Sequence, residues 1–122
     1  GGMHAIAHSL GALYGAHHGL LNAILMPYVL NANRPKIESR IERLSRYLDL
    51  KDSSFDGFLN WVLEMRESLN IPHTLSSIDI DETQAILVGQ MSEVDASAHG
   101  NPIPFNALQY SEIFTAAVHG SL

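Results

Sequence analysis

GGMHAIAHSLGALYGAHHGLLNAILMPYV, residues 1–29, is built mainly from small and apolar residues. It nevertheless holds four of the chain's seven histidines, at positions 4, 8, 17 and 18. His4 and His8 are four residues apart, one helical turn, so their side chains share a face about 6 Å apart. The apolar spacing predicts a first helix over 3–14. The turn-former Gly15 and the polar pair His17-His18 end it, and a second helix begins at 19. Such a helix–turn–helix folds His18 back toward the first pair. Neutral imidazole is the commonest protein ligand for zinc, iron and copper, so the pattern raises a metal site. From spacing alone, a surface pair or core packing stays open as the alternative. No carboxylate occurs before Glu38. Three imidazoles with water suffice for an open site, whereas two hold a metal poorly. Further ligands must then come from farther along the chain or from outside it.

The rest of the chain also has helical period, which makes the fold all-α, a bundle of about six helices in a single domain over 1–122. The second helix spans 19–33, with Pro27 kinking it or ending its first part. The third, 35–49, starts at Pro35, a residue suited to a first turn, and carries an apolar stripe of Ile37, Ile41, Leu44 and Leu48. Its other face mixes Lys36, Arg40, Arg43 and Arg46 with Glu38 and Glu42, which reads as a solvated surface. Ser53 or Ser54 caps a fourth helix through Asn70, with Phe55, Phe58, Leu59, Val62 and Leu69 on one side and Trp61 and Met65 widening it. Ile71-Pro72 breaks the chain. A fifth helix opens at Asp79 or Asp81 and runs to about Val94. DASAHGNPIPFN, 95–106, reads as a loop, and a sixth helix follows from Leu108 to His119 under an Asn106 cap.

Composition removes several classes of function. The chain is 46% hydrophobic and 16% charged, the balance of a folded domain, and 122 residues suffice for one core. Net charge is −6, and residues 71–122 contain six acids and no lysine or arginine. That balance opposes nucleic-acid binding, which depends on neutralising phosphates. Without cysteine there is no disulfide, zinc ribbon or thiolate catalysis. The longest nearly apolar run, GLLNAILMPYVL at 19–30, is interrupted by Asn22 and Pro27 and falls short of the ~20 residues of a membrane span. No basic segment of signal-peptide type opens the chain. The expectation is a cytoplasmic protein with neither nucleic-acid nor membrane partners. No phosphate-cradling glycine loop is present, nor the strand–helix alternation of a dinucleotide fold. The serines near His8, His73 and His119 form no nucleophile motif. His73, His99 and His119 read as surface residues.

Residues 1–29 resemble the C-terminal signature of the iron-containing (group III) alcohol dehydrogenases. That signature runs G-x-x-H-x-x-A-H-x-L-G-A, then five residues, then H-G-x-x-N-A-x-L-x-P. It is matched here by Gly1, His4, Ala7, His8, Leu10, Gly11 and Ala12, and then by His18, Gly19, Asn22, Ala23, Leu25 and Pro27. The break near NIP and the segment GNPIPFNALQYSEIF, with its Gly100-Asn101-Pro102 element, extend the resemblance more weakly to the rest of the chain. The resemblance implies the second half of the family's helical domain. It assigns His4 and His18 as metal ligands for Fe2+ (or Zn2+), and His8 as a catalytic residue lining the nicotinamide side of the site. The implied chemistry is hydride transfer between a small alcohol and its aldehyde or ketone, with NAD(P) as the other partner.

Two departures limit what these residues do alone. The family's other two ligands, an aspartate and a histidine on an earlier helix, have no counterpart here, and neither has the NAD(P)-binding domain. His17 also stands where the family usually has proline. The chain is therefore expected to be inactive by itself: a domain of a larger enzyme, a truncated product, or one piece of a split protein that a complementing N-terminal half completes. Two alternatives stay open. One is a piece of a metal-independent relative, such as a maleylacetate reductase. The other is a free-standing helical interaction domain with relic histidines, whose exposed apolar faces would make it a homo-oligomer.

Overall fold

A computed structural model describes all 122 residues. Five α-helices and two 3-10 turns follow one another with no strand: α1 (Gly2–Tyr14), α2 (His18–Tyr47), α3 (Phe55–Ser68), a turn at Leu75–Ile78, α4 (Ala85–Glu93), a turn at Ala96–Gly100, and α5 (Ala107–His119). None of the helices is long and apolar enough to cross a membrane.

The all-helical expectation holds, and the count differs for one reason. The helices predicted over 19–33 and 35–49 are one continuous helix, α2, which runs through both Pro27 and Pro35. A residue before proline is pushed away from helical backbone. Here that residue, Arg34, is held in place from three sides. Its guanidinium binds Glu38 one turn on, binds Asp56 at 2.9 Å, and lies 4.7 Å above the Phe55 ring. Tertiary contacts override the local preference.

Helix ends follow the sequence more closely. Gly15 closes α1 in the left-handed region (φ 64°), where a side chain would be strained. Ser54 caps α3 through the Gly57 N–H. Asn106 and Gln109 form a reciprocal capping box at the start of α5. The fifth predicted helix starts late, because Asp79 itself takes positive φ (63°) and ends the preceding turn. Asp81 then folds onto Thr83, so α4 begins only at Ala85.

The core is one cluster of 18 buried residues from α1, the first half of α2, α4, α5 and the segments between. Ile6, Leu10, Leu21, Ile24, Leu25, Val88 and Phe114 are wholly shielded from water. Burial of each such side chain contributes ~1.5–3 kcal/mol. α4 lies close on α5 at Gly89, where a Cβ would overlap the Ala107 carbonyl oxygen. α3 packs on the remainder of α2 with Phe55, Phe58, Leu59 and Val62 inward. Leu69, expected on that inner side, is 64% exposed. Its place is taken by Arg66, which is buried and donates to the carbonyls of Ile24, Pro72 and His73. The stripe expected on 35–49 is likewise only half covered: Ile37 and Ile41 are partly buried, and Leu44 and Leu48 are exposed.

Candidate functional site

The buried face of α1 fixes the position of its histidines. Ala5, Ile6, Ala7, Ser9 and Leu10 face the core, which turns His4 and His8 outward along one edge. The Gly15 turn reverses the chain, and His18 is the first residue of α2. The three rings meet there. Ring centroids are 6.2 Å apart for His4 and His8, 5.6 Å for His4 and His18, and 5.3 Å for His8 and His18, the last pair nearly parallel. The structure thus brings together all three site residues expected from the sequence. His73, His99 and His119 lie exposed elsewhere; His119 pairs with Glu82 and His73 sits against Tyr28.

His17 holds the turn in the shape proline would give it. Its φ of −65° and ψ of 124° are angles a proline would hold, so the backbone is that of a proline turn. Its ring then adds something proline cannot: Nδ1 accepts the Leu20 N–H and caps α2.

The three imidazoles have different surroundings. Burial holds His4 below the ordinary histidine pKa, helped by repulsion from His18 and His8. It is therefore neutral, with a lone pair free, at neutral pH. The Asn22 amide, one turn along α2, hydrogen-bonds Nε2 of His18 at 3.0 Å. His8 Nδ1 faces the Asp95 carboxylate at 3.2 Å. Burial alone would raise the Asp95 carboxyl; the Ser97 N–H and His8 outweigh it and draw its pKa below the ordinary value.

Sequence reasoning placed Asp95 in a loop and Asn22 at a helix start, without either contact. Asp95 lies 87 residues from His8, at the head of the Ala96–Gly100 turn. Its only local signature is the Asp-x-Ser pattern of a cap. Asn101, in the Gly100-Asn101-Pro102 element, also acts at long range. Its side-chain oxygen accepts the N–H of Gly2, which fixes the first turn of α1 ahead of His4.

The donor set suits a borderline divalent metal in kind and not in number. Neutral imidazoles are apt ligands, and a metal bond readily displaces a single amide hydrogen bond at His18. Yet no group of three or more histidine or acidic side chains is arranged to hold an ion, and the one nearby carboxylate is turned onto His8. The cluster is open as well: the His8 side chain is 47% exposed.

Fold and cluster define a class: an all-helical domain that gathers imidazoles at the junction of its first two helices. Residues 1–118 match the profile of the Fe-containing alcohol dehydrogenase family, C-terminal, and the chain belongs to that family. It is 28% identical to the NADPH-dependent butanol dehydrogenase of Clostridium saccharobutylicum, an alignment covering 97% of this chain and 32% of that enzyme. With alcohol dehydrogenase 4 of Saccharomyces cerevisiae it shares 27% identity over 96% of its own length and 31% of the yeast enzyme. The crystal structure of a 1,3-propanediol oxidoreductase superposes with a TM-score of 0.90 at 25% identity, over 96% of this chain and 32% of that one. An alcohol dehydrogenase from Oenococcus oeni superposes with a TM-score of 0.86 at 27% identity, over the same shares. The chain thus spans about a third of the length of the relatives it matches.

Proposed function

We propose that these 122 residues are the metal-binding C-terminal portion of an iron-dependent, NAD(P)-linked alcohol dehydrogenase, and that they are inactive until the nucleotide-binding portion is supplied. The observation that carries this reading is the meeting of His4, His8 and His18 at the positions of the family signature, with His4 and His18 centroids 5.6 Å apart. In the complete enzyme the alcohol carbon gives a hydride to the nicotinamide and the hydroxyl loses its proton, leaving an aldehyde or ketone. His4 and His18 would hold Fe2+ (or Zn2+), which as a Lewis acid favours the deprotonated alcohol and polarises the carbonyl in reverse. His4 brings a neutral, partly shielded imidazole to that task. His18 brings one fixed at the tip of a helix, where Asn22 orients it. His8 lies beside both, and its role is to hold or move a proton on the nicotinamide side.

The test is an anaerobic titration of the chain with ferrous iron and with zinc, reading metal bound per chain. His4→Ala and His18→Ala should each weaken uptake more than His8→Ala does. Equal losses from all three would mean a three-histidine site, and no uptake even beside a complementing N-terminal portion would place the chain with the metal-independent relatives. NAD(P)-dependent alcohol oxidation by the 122 residues alone would overturn the inactivity.

A further inference from the structure

The Asp95 carboxylate stands between two donors. Its Oδ1 accepts the Ser97 N–H at 2.8 Å, which caps the 3-10 turn at Ala96–Gly100. Both oxygens face Nδ1 of His8, Oδ2 at 3.2 Å and Oδ1 at 3.3 Å. An ionised carboxylate can only accept, so the His8 nitrogen that meets it must carry the proton. The other ring nitrogen, Nε2, is then left with the lone pair. A histidine free in water carries no such instruction; here α1 supplies the ring and the loop before α5 supplies the acceptor.

We propose that Asp95 is a positioning residue for His8, fixing its ring in the Nδ1–H tautomer so that Nε2 is the basic nitrogen presented beside His4 and His18. The proposal rests on the reading of His8 given above, since a tautomer lock matters only where that ring handles a proton. The pairing has the form of the carboxylate–histidine contacts that fix ring tautomer in catalytic and metal sites. The clamp is also stiff. Ser97 holds one oxygen of Asp95, and the turn that carries it packs on α1.

Asp95→Asn separates this role from a structural one. Asparagine caps a turn as well as aspartate does, and the Ser97 N–H keeps the remaining oxygen. The amide nitrogen then takes the place of Oδ2, the nearer of the two oxygens facing His8, and donates to Nδ1, reversing the polarity of that contact while Ser97 engages the remaining oxygen. Long-range proton–nitrogen spectra of the nitrogen-15-labelled chain, at a pH well above the imidazole range, read the tautomer directly, with His8→Gln assigning the signal. Wild type should show His8 as Nδ1–H and Asp95→Asn should show it as Nε2–H, with helical content unchanged. An Nε2–H ring in wild type, or the same tautomer in both proteins, overturns the proposal. This readout needs neither metal nor nucleotide, so its failure is distinct from failure of the metal titration, which speaks to the functional reading itself.

Discussion

Asn33 and Asn101, 68 residues apart, exchange two hydrogen bonds amide to amide, at 3.0 and 2.8 Å. Asn101 uses its whole capacity: its oxygen also accepts the Gly2 N–H, and its nitrogen also donates to the Ile103 carbonyl. One side chain thereby joins the start of α1, the middle of α2 and the loop before α5. Asn101→Ala leaves the buried Asn33 amide and the Gly2 N–H without partners, at about 1–3 kcal/mol for each orphaned group. We expect a loss of about 3 kcal/mol in urea unfolding, against about 1–2 kcal/mol for Asn33→Ala. Strictly additive losses in the double variant would show that the two amides are not coupled.

Two helical glycines should respond in opposite directions to alanine. Gly89 sits where α4 presses on the Ala107 backbone of α5, and an added methyl must drive the helices apart. The expected loss is about 2 kcal/mol. Gly11 has open space around its Cβ position, so Gly11→Ala should raise stability by up to about 1 kcal/mol through helix propensity. Thermal unfolding of the two variants checks the pair, and a shift of the same sign in both would contradict the close contact at Gly89.

The His17 cap can be strengthened as well as removed. His17→Ala deletes the acceptor for the Leu20 N–H and should cost about 1 kcal/mol. His17→Asp keeps an acceptor and adds a negative charge at a helix N-terminus, a gain of about 0.3–1 kcal/mol. Equal stability of the alanine and aspartate variants would mean the cap contributes nothing.

Three aspartates share one local device, an Oδ1 that accepts the N–H two residues on: Asp52 to Ser54, Asp81 to Thr83 and Asp95 to Ser97. At Asp52 and Asp81 the hydroxyl and N–H of the acceptor's own turn hold the carboxyl below its ordinary pKa. A carboxyl that is more acidic in the folded chain adds stability above the ordinary value of about 4, and that stability is lost as pH falls through the lowered one. The urea midpoint should therefore decline below pH about 4, and Asp52→Asn with Asp81→Asn should make that decline shallower. An unchanged acid limb in the double variant would remove these carboxylates from the account.

What could be read from the sequence was what depends on near neighbours. The i, i+4 histidines, the Gly15 reversal, the Ser54 and Asn106 caps and the apolar face of α1 all follow from residues within a turn or two of one another. So did the imidazole cluster, because one tight turn suffices to place His18. Pro35 misled because its local penalty is real, and the contacts that outweigh it include Asp56 and Phe55, residues about twenty positions away. Arg66 was invisible for a related reason: a lone cation on a helix reads as solvated, and nothing in its vicinity announces the carbonyls of Ile24 and Pro72. Asp95 and Asn101 both lie in a stretch rich in turn formers, where local pattern predicts a bend and carries no information about which distant element the bend will meet.

The split between the main core and the α3 side has a consequence for how the molecule opens. None of the inward residues of α3 belongs to the central cluster, which draws nothing from α2 beyond Ala32. Two of the Arg66 guanidinium nitrogens are buried without a partner, and both regain water when α3 lifts away. That opening breaks a small satellite of contacts and the Arg66 bond to the Ile24 carbonyl, while α1, α4, α5 and the apolar residues of the first half of α2 keep their packing, and low-energy openings follow such seams. The chain therefore opens first along the seam between α2 and α3, and the imidazole cluster, built on α1 and the first turn of α2, keeps its shape while α3 comes and goes.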